Sequence, residues 1–433
     1  MSTTYKVINF IIELGPVFLF PVILFIISLI ITRSPLRNLK NFAFILAGMI
    51  GVSIMITLFV NFFTPVISTI LINSSKNFDV IDAGWIVSKA VLLNSPIILQ
   101  TIIAVFILNL IMLFLRFTRT INIDFWNYWS FLLVGAVVFS ITEIKWMGVL
   151  VAVIVAAITF VLSDIYAPYI ESYFGIKGIS NPQAQIICWA PLSQFINTIF
   201  DRIPFVRKIH IYYEEIQYKL GVFSEPLVMG FIMGTIIGAI TRYKNFLLNP
   251  GPNILYSFSS GLALSIIMAL LPRAVNLLLR GLIPTINDIK RFIALKITKR
   301  ELYIGLDSVV LVGQPSIIFL SVFIIPLTAY ISTILPGNNV LPNADLIIIP
   351  FILVWVIAPS RGDMFRSLIS ALIIIPIILW ITTNMGYLFT NLFLKYNLEL
   401  VEGYNRISSI GGSSNVFFWI LLKTLEPIFN LFL

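Results

Sequence analysis

Thiols and imidazoles are almost missing from this sequence. Cys188 is its one cysteine and His210 its one histidine in 433 residues. One thiol cannot build a disulfide framework or a cysteine metal site, and one imidazole makes a histidine zinc site equally hard to assemble. Charge is scarce as well. Asp, Glu, Lys and Arg make up 11% of the chain, against roughly a quarter in soluble domains. That leaves too little polar surface to wet a folded ball of this size, and an apolar fraction of 59% excludes disorder. The sequence has no P-loop, no G-x-S-x-G, no H-E-x-x-H and no Cys-His pairing, so no catalytic residue, metal or cofactor is expected. The opening MSTTYKVINF lacks a charged n-region leading into a short cleavable core, so the first apolar run reads as a retained span.

What is present is apolar. Mean hydropathy is +1.01, which makes lipid the sensible solvent. A helical span needs about 20 apolar residues. Windows near 7–32, 42–63, 91–115, 146–163, 226–241, 253–271, 317–335, 345–358, 367–383 and 415–433 fit, with a shorter run at 127–142. The expectation is an all-α polytopic membrane protein of ten or eleven spans, a single integral unit over 1–433. Several runs contain proline, at Pro16, Pro21, Pro96, Pro326 and Pro376. Each is either an ordinary kink or a break where freed backbone lines a cavity.

The net charge of +9 fits basic cytoplasmic loops better than nucleic acid, which is not an expected partner. The loop at 33–40 carries Arg33, Arg37 and Lys40 and no acid. The connection at 64–90 balances Lys76 and Lys89 against Asp79 and Asp82, and the next begins with Arg116 and Arg119. Basic, balanced, basic places the N-terminus outside. Residues 193–224 read as a cytoplasmic amphipathic segment, and 272–301, with seven basic residues, as a second cytoplasmic region. Both suit anchoring to anionic lipid headgroups, and both suit docking of a soluble partner.

Polar side chains inside apolar runs are costly, so each is a site candidate. Two stretches stand out. In 175–191, Asn181, Gln183 and Gln185 surround Pro182; in 303–321, Asp307, Ser308, Gln314 and Ser316 accompany Gly313 and Pro315. Each reads as a broken, re-entrant element. Carboxamides donate and accept, and a carboxylate accepts strongly, which suits the hydroxyls of a neutral polyol. The alternative is that these groups only cap broken helix ends. Glu225 before Pro226 is a good helix start and could also meet solute hydroxyls. Gly230, Gly234 and Gly238 form the small-residue pattern of close helix packing.

At these stretches the chain resembles the membrane (IIC) component of the galactitol group in the phosphoenolpyruvate-dependent sugar phosphotransferase system. The matching pieces include ELGPVFLFPVILFI, DVIDAGW, RFTRTINIDFWNYW, FGIKGISNPQ, EEIQYKLGVFSEPLVMGFIMGTIIG, YIGLDSVVLVGQPS, PGNNVLP and RGDMFRSLI, in order along most of the length. The resemblance implies a multi-pass permease of the bacterial plasma membrane. It would bind a sugar alcohol outside and expose it to the cytoplasm, where a separate IIB protein with a phosphocysteine, fed by IIA, phosphorylates it. It also implies a homodimer resembling the ascorbate IIC elevator, with discontinuous dimerisation and core parts. The two broken elements would be its re-entrant elements, with Asp307 as solute carboxylate and Asn181, Gln183 and Gln314 at matching positions. Family members often carry histidine where this chain has Gln183 and Gln314, and in the span that here holds Phe139 and Ser140, which bears on the identity of the solute. A facilitative or ion-coupled transporter and a non-transporting membrane sensor are the competing readings.

Overall fold

The computed structural model describes residues 3–74, 76–84, 87–88, 94–246, 249–296, 300–395 and 404–429, with side chains for all but 3–16, 245–246, 296 and 426–429. Lys89, Lys299 of the basic 272–301 region, the start of the 91–115 window and the end of the 415–433 window lie outside the described residues.

Each expected window contains an apolar helix. Among the described residues, six are long enough to cross a bilayer alone: Pro35–Ile72, Phe125–Thr142, Lys145–Phe174, Pro250–Leu295, Pro315–Ile334 and Met364–Lys395. A pair bent by 82°, Tyr213–Ser224 with Pro226–Thr241, would make a seventh span, and Val17–Ile31, Ile98–Phe114, Ile348–Ile357 and Val416–Leu425 are shorter. Ile98–Phe114 shows why lipid is the solvent. Thr101 and Asn109 face the protein, while Leu99, Ile103, Phe106, Leu110 and Phe114 are exposed. A water-soluble helix would reverse that arrangement. The chain is an all-α multi-pass membrane protein, apart from six very short strands.

Pro35–Ile72, Pro226–Thr241 and Pro250–Lys296 pack into one group. Gly230, Gly234 and Gly238 make the approach possible: a Cβ on any of them would sit within 2.6–2.8 Å of atoms in Ser260 or Ser265. The small-residue pattern therefore packs helices, as its spacing implies. The helix from Pro250 has 47 residues, roughly 70 Å at 1.5 Å per residue. The basic stretch up to Lys296 continues this helix. Leu271, Val275, Leu278, Leu282, Ile286, Ile289 and Ile293 form its buried stripe, and Arg273, Arg280 and Arg291 are exposed on its other side.

The prolines do not break the helices that contain them. Pro326 and Pro376 lie inside continuous helices, as do Pro65, Pro168, Pro272 and Pro284. The real interruptions come where proline follows a carboxamide. Pro182 sits between a strand and the four-residue helix Ala184–Ile187, and Pro315 starts a new helix after Gln314. Backbone groups freed at such breaks need partners away from water. Here they find one another in two parallel three-stranded sheets built from β1 (Val80–Asp82), β2 (Thr120–Asn122), β3 (Ile179–Ser180), β4 (Tyr303–Gly305), β5 (Val340–Leu341) and β6 (Arg406–Ser408).

One sheet has the order β5–β1–β6 and the other β2–β4–β3. Exchanging β1 with β4, β2 with β5 and β3 with β6 turns one order into the other. Each sheet thus takes its central strand from one half of the chain and both edges from the other half. The two halves are topological copies, and they cross-pair. Ile121, Ile304 and Ile179 stand in register in one sheet, and Leu341, Ile81 and Ile407 in the other.

Candidate functional site

Acids follow the strands in both sheets. Beyond β2, Asp124 caps Phe125–Thr142: one oxygen accepts from the Trp126 amide at 3.0 Å, and the other accepts from the Asp307 amide at 2.9 Å. Asp307 follows β4 and caps a single helical turn at Ser308–Val310, with Oδ1 accepting from the Val309 amide at 2.8 Å. Its Oδ2 is buried with no hydrogen-bond partner among the described residues, and so are Asn122 Nδ2 and Asn127 Oδ1 on the neighbouring segment. Buried polar atoms left open like this call for a water or a ligand hydroxyl.

Asn181, after β3, is fully occupied by protein. Its amide nitrogen donates to the Leu306 carbonyl at 2.8 Å, and its oxygen accepts from Ser308 Oγ at 2.9 Å and Trp355 Nε1 at 2.8 Å. It ties the two broken elements and Ile348–Ile357 together. Gln183 Oε1 accepts from the Ser308 amide at 3.3 Å, and Gln185 Nε2 donates to the Ser130 carbonyl at 3.4 Å.

The other sheet carries a second pair of acids. Asp82 is wholly buried. Its Oδ1 accepts from the amides of Gly84 at 3.2 Å and Ile410 at 3.1 Å, and its Oδ2 from those of Asn343 at 3.2 Å and Asp345 at 2.9 Å. Asp345 Oδ2 accepts from Ser409 Oγ at 2.5 Å and the Gly411 amide at 2.9 Å. Asp82 therefore does not belong in the charge balance of the 64–90 connection: it is a strand residue inside the protein, not a loop charge.

Between the ends of the two sheets lies a cavity of ≈ 200 Å³. One sheet's segments supply Gln183 and Gln185, and the other's supply Asp345, Ser409 and Gly411; Ser88 and Ser130 add hydroxyls, and Trp126 and Trp129 add aromatic surface. Ile56, Leu133, Ile347, Ile348 and Phe351 complete the lining, and hydrogen-bonding groups set among apolar and aromatic side chains can take up a molecule with many hydroxyls and apolar C–H edges.

Of the residues singled out from sequence, Gln183 and Gln185 line this cavity. Asn181 and Asp307 stand behind them. Ser316 points elsewhere, with its Oγ 2.6 Å from the Tyr173 hydroxyl. Gln314 is half-buried at the start of Pro315–Ile334, and its side chain makes no hydrogen bond among the described residues. Glu225 is exposed at the 82° bend, gives no side-chain cap bond and does not line the cavity. Sequence reasoning missed Asp82, Asp124, Asp345 and Ser409 as site-forming residues. A signal existed: the chain has only 19 acids, and Asp82 and Asp124 fall inside the matched pieces DVIDAGW and RFTRTINIDFWNYW, with Asp345 three residues after PGNNVLP.

Comparison with known proteins gives a consistent result. The family model described as "PTS system sugar-specific permease component" matches residues 10–403. The "PTS system galactitol-specific EIIC component" of Escherichia coli (strain K12) is 30% identical over 422 residues, covering 98% of this chain and 91% of that protein; its counterpart in Escherichia coli O157:H7 matches equally. A "Putative permease IIC component" of Escherichia coli (strain K12) is 31% identical over 418 residues, covering 96% of this chain and 93% of the relative.

Proposed function

The chain belongs to the PTS system sugar-specific permease component family, and on that premise we propose that it binds a sugar alcohol between its two sheets and presents it for phosphorylation by a separate IIB protein. The observation that carries this reading is the cavity itself. Gln183, Gln185, Ser88, Ser130 and Ser409 offer neutral hydrogen-bonding groups beside the Asp345 carboxyl in a space of ≈ 200 Å³. The open atoms of Asp307, Asn122 and Asn127 lie one layer behind. Galactitol-like polyols are the favoured class; the glutamines standing where relatives often have histidine still donate and accept.

In the proposed cycle the solute enters from outside, with the N-terminus on that side. The sheet-bearing part moves it as an elevator against the Pro35–Ile72, Pro226–Thr241 and Pro250–Lys296 group, which serves as the dimerising part of a homodimer. Residues 193–224 and the basic half of Pro250–Lys296 face the cytoplasm and receive IIB, itself phosphorylated through IIA. The S–P bond of the IIB phosphocysteine breaks, an O–P bond forms to a solute hydroxyl, and the hydroxyl proton leaves to water or to the departing thiolate. This chain supplies binding and positioning.

The test is a thermal-shift screen of purified protein against hexitols, pentitols and ketoses, joined to uptake in cells with and without the phosphoenolpyruvate relay. One class of polyol should raise the unfolding temperature of the wild type and not of Asp307→Ala, and uptake should stop when the relay is removed. Uptake that continues without the relay, with unmodified solute accumulating, would make the chain a facilitator instead. No polyol binding in either protein would favour a sensor.

A further inference from the structure

A second cavity, of ≈ 390 Å³, lies at the other end of Ile348–Ile357 from the first. The first cavity meets that helix at Ile348 and Phe351, and the second lies beyond it at Pro359, Ser360 and Arg361. They are about 15 Å apart along the helix axis, at 1.5 Å per residue. The walls of the second cavity are strongly polar. At its base, buried Arg366 donates to Asp201 at 2.7 Å and lies 3.5 Å from buried Asp363. Asp363 in turn meets His210 Nδ1 at 2.9 Å. Both acids lining the cavity are thus engaged. Arg207 and Arg361 are exposed at its rim, with no acidic partner among the described residues.

Three guanidinium groups against two carboxylates leave an uncompensated positive charge in a concave space. The arrangement is also held firmly. Arg361 has φ +54 and Gly362 φ +84, a left-handed pair in which the first residue is not glycine. The turn is pinned on one side by Tyr173, which a Cβ on Gly362 would meet at 2.6 Å, and on the other by the Met364 amide bonded to the Ile211 carbonyl at 2.7 Å. Backbone held in this region by surrounding contacts can mark a functional position. Asn197, beside Ser360, donates to its hydroxyl at 2.9 Å.

We infer that this second cavity is a phosphoryl site, which takes the phosphate monoester of the phosphorylated solute through Arg207 and Arg361, with the Asp201–Arg366–Asp363–His210 network holding its floor. Planar guanidinium forks suit a phosphate dianion. The inference rests on the phosphorylating reading above. It gives the product a reason to leave the first cavity: phosphorylation creates a dianion, and Arg207 and Arg361 lie one helix length away.

Lipid-free protein in dodecyl maltoside would be titrated calorimetrically with sorbitol 6-phosphate, inorganic phosphate and sorbitol, for wild type, Arg207→Gln, Arg361→Gln and the double variant. Both substituted positions are exposed, so folding should be unaffected; Arg361→Gly, which relieves the strained turn, gives a second check. Both phosphates should bind wild type and lose at least about ten-fold in affinity in each variant, while thermal shifts from polyols stay as in wild type. Equal phosphate binding by wild type and double variant, or none by either, overturns the inference. Displacement by phosphatidylglycerol vesicles, with no binding of the small phosphates, would assign the cations to lipid headgroups and also overturn it. Failure of every polyol to bind while the phosphates bind through the arginines would overturn the transport reading alone.

Discussion

The two sheets have one topology and opposite chemistry. In the β5–β1–β6 sheet, Asp82 accepts four backbone amides and Asp345 accepts a hydroxyl and an amide. In the β2–β4–β3 sheet, Asp124 accepts two amides, and Asp307 accepts one through Oδ1 and leaves Oδ2 open in the interior. A buried carboxylate with all its lone pairs filled clamps chain segments together, and removing it strands their amides. A buried carboxylate with an empty oxygen has capacity for something the protein does not contain. The two halves thus fill the carboxylate of Asp82 from the backbone and leave one oxygen of Asp307 without a partner among the described residues.

The most damaging way to test that contrast is Asp82→Asn. The new amide NH₂ would face backbone donors, and the loss should be about 3–5 kcal/mol of stability, read as a large drop in unfolding temperature in detergent. Asp307→Asn keeps an oxygen for the Val309 amide, so its unfolding temperature should barely move while polyol binding is lost. If Asp307→Asn destabilises as much as Asp82→Asn, the distinction between anchor and ligand group fails. Asn181→Ala comes next, at about 2–3 kcal/mol, because it removes three tertiary hydrogen bonds joining both broken elements to Trp355; an unchanged unfolding temperature would mean those bonds hold nothing. Gln183→Ala and Gln185→Ala touch the cavity wall and make one weak protein bond each. Each should weaken polyol binding about ten-fold, on the order of one hydrogen bond, with stability nearly unaltered, and undiminished affinity in both would move the solute elsewhere.

Composition alone was enough for the membrane class and the helical windows, because lipid imposes a long apolar run on every span. The breaks at Pro182 and Pro315 were legible for a related reason: carboxamides and acids are too costly in such runs to be incidental. The pairing between the breaks was not. Strands of two or three residues are too short for any alternation to register, and their partners lie far away in the chain, Val80 with Val340 and Arg406, Thr120 with Tyr303. Asp82 was miscounted for the same reason. A charge beside a lysine-containing loop looks solvated until the strand that buries it is known. The basic stretch after Arg273 hid a continuing helix because its exposed arginines mask the buried stripe opposite them. Ser316 shares a broken element with Asp307 in the sequence, but its hydroxyl turns to Tyr173.

Glu225 gives the smallest expected effect and the cleanest control. It shares with Asp307 its position as an acid at the start of a helical segment, so sequence treats the two alike. Burial separates them: Asp307 is enclosed, whereas Glu225 is exposed at a bend and caps nothing with its side chain. An exposed acid at a helix N-terminus contributes a few tenths of a kcal/mol, up to about 1, through the helix dipole. Glu225→Gln should therefore leave both the unfolding temperature and polyol affinity within error of wild type. A loss of affinity comparable to that of Asp307→Asn would show that the bend closes onto the solute during the cycle, and that the solute site extends beyond the two sheets.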